Sequence, residues 1–357
     1  MTKRIALLTG GGDCPGLNPA IRGAVLQASA LGYECVGMLD GWKGMIEAKH
    51  RPLSPADVEE IVGQGGTMLG TSRTNPYKKE NGQQKVMETF KKLKLDALIA
   101  MGGEDTLGVA NKLYKDFKAN VVGVPKTMDN DLSATDYTFG FDTAATIAVD
   151  AAERLRDTGR SHRRVMVLEV MGRHAGWVAL FTAIASGADY VCLPARPVDV
   201  KDMAAKLKAA HARKNVALVV TSEAVELPGE KEEEKLDEFG HMILKARGVA
   251  ERLTEIIHAE TGIETRSAVI GHIQRGGPPT LFDRMLATRA GMKAAQLVAE
   301  GKFGHMAALR GAHIVAVPLD EAVGELKVVD KDWLKTADTL MGATMSAKPA
   351  ERAGTPA

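Results

Sequence analysis

The chain of 357 residues is poor in aromatic side chains, at 4%, and has only three cysteines. Few large rings beside 37 glycines argue against a β-sandwich and for an α/β protein with many tight turns. Cys14, Cys35 and Cys192 form no CxxC pair and no metal-spaced cluster. An odd count, with two of the three inside strand-like apolar runs, reads as reduced, buried thiols in a cytoplasmic protein. Neither sign of charge dominates: 46 Lys and Arg face 45 Asp and Glu. That balance excludes a general nucleic-acid or membrane surface, so any phosphate affinity has to come from a local site. No apolar run is long enough to span a bilayer, and the opening MTKRIALLTGGGD is too soon interrupted by glycine to be a signal peptide. No short internal repeat is present, which excludes a solenoid.

What the sequence does have is alternation. Short apolar runs at Arg4–Thr9, Cys35–Leu39, Asp96–Ala100, Val121–Val124, Val165–Val170, Tyr190–Leu193, Val216–Thr221 and Ser267–Ile270 read as strands. Amphipathic stretches at 18–30, 107–117, 143–157, 175–185, 200–212, 243–260 and 284–299 read as helices. Strand, loop and helix repeated in this way predict an α/β fold of parallel sheets covered by helices on both faces. Ligands of such sheets bind beyond the carboxyl ends of the strands. Two segments are peripheral on composition: the charge run Gly229–Glu238 reads as a solvated loop, and the polar tail Ser346–Ala357 as frayed.

Three strand-to-helix loops carry the chemistry. The first, Gly10-Gly11-Gly12-Asp13-Cys14-Pro15-Gly16, lets backbone approach an anion near a helix N-terminus. It departs from the dinucleotide fingerprint at Pro15 and from the P-loop at Leu17-Asn18. Alone it is equally consistent with an unliganded turn. The second, Gly102-Gly103-Glu104-Asp105-Thr106, sets two carboxylates at a helix start, which suits helix capping and also suits Mg²⁺ held by one or two carboxylates plus substrate phosphates. The third, Pro125-Lys126-Thr127-Met128-Asp129-Asn130-Asp131, puts a lysine, a threonine and two carboxylates at one strand end. Phosphoryl transfer to an alcohol needs that mixture: a carboxylate for the hydroxyl proton, a cation for the phosphates and a hydroxyl beside the moving group.

In these loops and beyond them the chain resembles the phosphofructokinase family. GGGDCPGLNPAIRG, GTSR, GGEDT, PKTMDND, SHRRVMVLEVMGRHAG, TSEAVE, TRSAVIGHIQRGG and DRMLATRAG occur in the family's order and approximate spacing. The resemblance implies two doubly wound, Rossmann-like domains with the active site in the cleft between them, assembled as a homodimer or homotetramer. It implies a phosphoryl-donor domain of residues 1–140 plus about 274–325 and a fructose 6-phosphate domain of about 141–273 plus 326–345. It makes Asp129 the base on the sugar 1-hydroxyl, supported by Asp131. Thr127 then touches the transferred group, and Arg173 neutralises charge developing in transfer. Gly11, Arg73, Gly103, Asp105 and Lys126 fall on the donor-phosphate side, and Glu104 is the candidate ligand for Mg²⁺. Met171, Gly172 and Glu223 border the sugar. Arg164, Arg266, His272 and Arg275 resemble the clamp on its 6-phosphate, with Arg164 and Arg266 reaching a neighbouring subunit's site. Guanidinium forks suit phosphate oxygens on independent grounds.

The donor is decided at two positions. Among relatives of this kind, users of ATP typically have glycine where this chain has Asp105 and again where it has Lys126; users of pyrophosphate have aspartate and lysine. Glycine leaves room for a nucleotide's α-phosphate, whereas aspartate adds bulk and charge; at about 4 Å and an effective dielectric of about 20 the repulsion is about 4 kcal/mol, about a thousandfold in affinity. Lys126 suits a compact pyrophosphate anion. The expected activity is a reversible, Mg²⁺-dependent transfer from pyrophosphate to fructose 6-phosphate. An ATP-dependent 6-phosphofructokinase is the alternative, and a non-catalytic sugar-phosphate sensor a third reading from another class. Glu104 departs from the aspartate common at its place, and Leu26 stands where effector-regulated relatives have a second arginine after Arg22, so weak or absent nucleotide control is expected.

Overall fold

The computed structural model of the chain describes residues 3–228 and 248–346. The charge run at 229–238, the first residues of the helix expected from 243, and positions 347–357 lie outside the described residues. The chain divides into two compact units. Within the described residues the first takes 3–144 and 275–327, and the second takes 145–228, 248–274 and the segment from 328.

The first unit begins with β1 (Arg4–Thr9), α1 (Leu17–Ala30), β2 (Glu34–Met38), α2 (Trp42–Glu47), β3 (His50–Leu53), α3 (Gly82–Lys92), β4 (Ala97–Gly102), α4 (Glu104–Phe117) and β5 (Val121–Pro125). Helix α5 (Phe141–His162) then carries the chain into the second unit. There follow β6 (Val165–Val170), α6 (Trp177–Ser186), β7 (Tyr190–Cys192), α7 (Val200–Lys214), β8 (Ala217–Ser222), α8 (Val249–Thr261) and β9 (Thr265–Val269). The chain returns to the first unit for α9 (Leu281–Ala299), β10 (His305–Arg310), β11 (His313–Pro318) and the short α10 (Leu319–Ala322), and ends in the second with α11 (Lys331–Ser346).

Seven strands of the first unit run in the order β11-β10-β5-β4-β1-β2-β3. The five inner strands are parallel, and β3 and β11 close the edges antiparallel. Strands β1, β4 and β5 are continuous apolar runs because both faces are covered, so almost none of their residues reaches solvent. Their core gathers Leu8, Val36, Trp42, Leu98, Leu107 and Met306. The second unit holds four strands in the order β7-β8-β6-β9, all parallel, around Val165, Val167, Leu207, Val219 and Leu253. On the flank of the first sheet, α1 and α9 pack backbone to backbone: a Cβ on Gly23 would stand 2.2 Å from the carbonyl of Thr288. Among the described residues no helix is long and apolar enough to cross a membrane.

The sequence reading places most of these elements within a few residues. It does not foresee α2, β3, α3 or the hairpin of β10 and β11, whose connection is only Gly311-Ala312. It ends α5 five residues early, because Gly159 interrupts the helical pattern. Its lack of a side chain is used: a Cβ there would come within 2.6 Å of Met166.

The start of α5 is fastened to the start of α9 by a buried carboxylate. Asp283, 0% exposed, accepts hydrogen bonds from the backbone N–H of Thr143 at 2.8 Å and from its hydroxyl at 2.5 Å. Thr280, the N-cap of α9, donates to Asp142 at 2.5 Å. Burial raises the pKa of Asp283 to about 6, against the hydrogen bonds from Thr143. A carboxyl held above its unfolded value stabilises the fold when protonated, and that contribution is lost as pH rises from about 4 through 6. Two pKa units correspond to about 3 kcal/mol. Thermal unfolding of the parent and of Asp283→Asn at pH 4, 5, 6 and 7 should therefore show the parent gaining on the variant as pH falls. A constant difference between the two would contradict the assignment.

Candidate active site

Parallel strands β1, β4 and β5 lie side by side, so the loops that follow them are neighbours. Backbone bonds stitch them together: Gly10 N–H donates to Met101 O at 3.0 Å, and Lys126 N–H to Gly102 O at 3.0 Å. The third loop has the most buried chemistry. Lys126 is 4% exposed, and its ammonium crosses to donate to the carbonyl of Gly12 in the first loop. Burial pushes the Lys126 pKa down and the nearby Arg275 adds to this, while Cys14, Asp129 and Asp131 act in the opposite direction.

Asp129 is 6% exposed, and its Oδ1 is buried with no hydrogen-bond partner among the described residues. Its backbone N–H donates to Thr127 Oγ1 at 3.0 Å. Thr138 closes the loop, its hydroxyl donating to Thr127 O at 2.6 Å and its N–H to Asn130 Oδ1 at 3.1 Å. Asn130 adopts φ of 51°, a left-handed conformation that a non-glycine residue keeps only where surrounding contacts impose it. A carboxylate left with an unmatched buried oxygen is placed to accept a proton from a ligand.

Around this loop the structure places the remaining first-unit residues. Gly11 spends its N–H on Ser72 O at 3.2 Å and accepts from Thr71 Oγ1 at 2.6 Å, which ties the phosphate loop to the segment bearing the exposed Arg73. Glu104 and Asp105 stand half-buried in the first turn of α4 behind Gly103, where the helix dipole favours negative charge. A cavity of about 410 Å³ opens beside them, lined by Asn75, Lys78, Glu104, Asp105 and Lys112. Arg275, grouped by sequence with the 6-phosphate clamp, belongs to the first unit: its guanidinium donates to Asp13 O at 2.9 Å and packs against Gly12, where a Cβ would approach within 2.5 Å.

The second unit holds the rest. After β6, the loop Met171-Gly172-Arg173 is suspended from three side chains. Met171 N–H donates to Gln274 Oε1 at 2.9 Å, and Gly172 and Arg173 N–H groups donate to Glu223 Oε1 at 3.3 and 3.4 Å. Ser222 Oγ donates to Arg173 O at 3.0 Å. Arg173 has φ of 43°, a second left-handed residue at an expected site. Gln274 and Ser222 are residues the sequence reading does not single out, although each adjoins one that it does. His272 is exposed in the turn after β9.

Arg164 and Arg266 lie elsewhere. Arg164 precedes β6, and Arg266 is the second residue of β9, aligned with Met166. Both are at the amino end of the parallel sheet, whereas Met171–Arg173 and Glu223 follow its carboxyl end. The six residues of β6 separate Arg164 from Met171, about 20 Å. Both guanidinium groups converge on one oxygen of Glu264, at 2.9 and 2.7 Å. The hydrogen bond from Arg164 leads in holding the Glu264 carboxyl below its ordinary pKa.

The three cysteines are free and buried, and burial raises each thiol to about 12, so none acts as a nucleophile. Among the described residues no group of three or more His, Cys, Asp or Glu side chains could hold a metal unaided. A Mg²⁺ completed by substrate phosphates fits that pattern, since it needs only one or two carboxylates.

Comparison with known proteins identifies the family. Residues 4–298 match the family model for phosphofructokinase. The chain is 50% identical over 341 residues to a pyrophosphate--fructose 6-phosphate 1-phosphotransferase of Dictyoglomus thermophilum, covering 94% of this chain and 98% of that protein. It is 44% identical over 345 residues to an ATP-dependent 6-phosphofructokinase of Corynebacterium efficiens, covering 95% and 99%. A crystal structure of phosphofructokinase from Pichia pastoris superposes with a TM-score of 0.84 at 26% identity, over 96% of this chain and 39% of that one. Loops, fold and relatives converge: the chain belongs to the phosphofructokinase family.

Proposed function

We propose that the protein transfers a phosphoryl group reversibly between pyrophosphate and the 1-hydroxyl of fructose 6-phosphate. The observation that carries this reading is the buried, unmatched Oδ1 of Asp129, on the same loop as a buried lysine that reaches the glycine-rich phosphate loop. Asp129 takes the proton of the 1-hydroxyl as the sugar oxygen bonds to the near phosphorus of pyrophosphate. The bridging P–O bond breaks, and inorganic phosphate leaves with the electron pair. Lys126, Arg73 and Gly103 bind the donor beside Gly11, Thr127 stands against the moving group, and Arg173 meets the charge that develops. Glu104 would hold Mg²⁺ together with the donor's oxygens, and the ion would neutralise phosphate charge when bound. Met171, Gly172 and Glu223 bind the sugar, and His272 and Arg275 its 6-phosphate. On this reading the first unit is the donor domain, with Arg275 as its contribution to the sugar phosphate, and the second the sugar domain. The three reduced thiols fit a cytoplasmic enzyme.

Replacing Asp129 by Asn keeps its shape and removes the base. The kcat should fall by about 10²- to 10⁴-fold with little change in substrate KM. A variant that turns over as fast as the parent would remove Asp129 from the mechanism.

Pyrophosphate is favoured over ATP by the bulk and the charge of Asp105 and Lys126. The barrier is a carboxylate that crowds and repels an inner phosphate, together with an ammonium matched to the smaller anion. Initial rates at matched Mg²⁺ should show strong turnover with pyrophosphate and little with ATP. The double change Asp105→Gly and Lys126→Gly should raise the ATP-to-pyrophosphate ratio of kcat/KM by up to about a thousandfold. An unchanged ratio would place donor selection elsewhere.

The separation of Arg164 and Arg266 from the sugar loop of their own unit supports a homo-oligomer in which they serve a neighbouring subunit's 6-phosphate. Arg164→Ala/Arg266→Ala protein and Asp129→Asn protein should each be nearly inactive. Dissociated and reassembled together, they should recover activity, because a mixed interface yields one site with both the base and the clamp. Mixtures no more active than their parts would confine these arginines to their own chain.

A further inference from the structure

The turn carrying the base is closed from behind by a lysine 197 positions after Asn130. Leu326 forms an antiparallel bridge with Leu132, and the backbone N–H of Lys327 donates to Asp131 O at 2.9 Å. The Lys327 ammonium then reaches over the turn, donating to Asp136 O at 2.6 Å and Thr135 O at 3.1 Å and approaching Asn130 Oδ1 at 3.5 Å. The ring of Tyr137 lies beneath it, its centroid 5.7 Å away. Asn130 Oδ1 is also the acceptor of Thr138 N–H, so the two contacts share the atom that stabilises the left-handed residue directly after Asp129.

One ammonium therefore joins three points of segment 130–136 that have no regular secondary structure of their own. An ammonium offers three N–H donors and a charge that strengthens each bond to a carbonyl. We infer that Lys327 is a positioning residue for phosphoryl transfer, holding the Asn130–Asp136 turn so that Asp129 and Asp131 keep fixed places at the end of β5. It touches no reacting atom in this account, which rests on Asp129 being the base. Its removal should loosen the base without removing a substrate contact, and a misplacement of about 1 Å at a reacting centre costs on the order of a hundredfold in rate.

The test compares the parent with Lys327→Met, which keeps the length of the side chain, and Lys327→Arg, which keeps the cation, with kcat expressed per folded molecule. Lys327→Met should lower kcat about ten- to a hundredfold while KM for pyrophosphate and for fructose 6-phosphate stays within about twofold. Lys327→Arg should restore most of the loss. A Met variant with kcat within twofold of the parent, a change confined to KM, or equal losses in Met and Arg would each overturn the inference. Should the Met variant fail to fold, Lys327→Gln is judged by the same kcat and KM criteria. Asp129→Asn run alongside separates the two levels: if it too is fully active, the base assignment fails, and if it is inactive while Lys327→Met is not, only the role of Lys327 falls.

Discussion

The candidate site depends on one buried cation. Lys126 leaves the end of β5 and reaches back to the carbonyl of Gly12, so an ammonium with almost no access to water joins the catalytic loop to the phosphate loop. A charge in that position is costly unless opposite charge or well-placed dipoles surround it. Here Asp129 and Asp131 counter the effect of burial without cancelling it, and Arg275 adds a second positive group. Two cations thus face two carboxylates, and the Lys126 pKa stays depressed because its ammonium is cut off from water.

In each unit one site loop is held in a conformation that loops do not adopt freely. Asn130 and Arg173 both have positive φ, each costing about 1–3 kcal/mol; Asn130 follows the proposed base, and Arg173 is itself a proposed site residue. Each is over-determined by hydrogen bonds. Asn130 is fixed by Thr138 and Lys327, and Arg173 by Glu223 and Ser222. The sheets supply rigid anchor points, and these side chains set the last few ångströms.

The central strands and the three loops were legible because their signals are local. Buried parallel strands are continuous apolar runs, and the residues of PKTMDND sit together in sequence as they do in space. Edge elements were harder. The hairpin of β10 and β11 adds one parallel and one antiparallel strand at the sheet edge, and its half-exposed second strand carries no strong periodicity. Supporting residues were harder still. Gln274 and Lys327 act on loops about 100 and 190 residues away, and nothing in the sequence near either shows which loop that is. Arg275 shows a related limit, since its motif gives its chemistry while only the structure places it against Gly12 and Asp13.

The positions that would choose the phosphoryl donor lie outside the parts that make the fold. Asp105 is a half-buried residue in the first turn of α4 and is not part of the apolar cluster that α4 contributes through Leu107, Val109, Ala110 and Leu113. Lys126 is buried, yet its partner is a loop carbonyl and not the core. Changing either alters charge and room at the strand ends while leaving the packing between sheet and helices intact. A fold whose ligands meet the carboxyl ends of strands can in this way exchange one anionic donor for another without being rebuilt. The same separation sets a limit: Lys126 also ties two loops together, so losing it removes a structural link along with a selectivity element, and the smaller residue at 105 is the less disruptive first step toward a nucleotide.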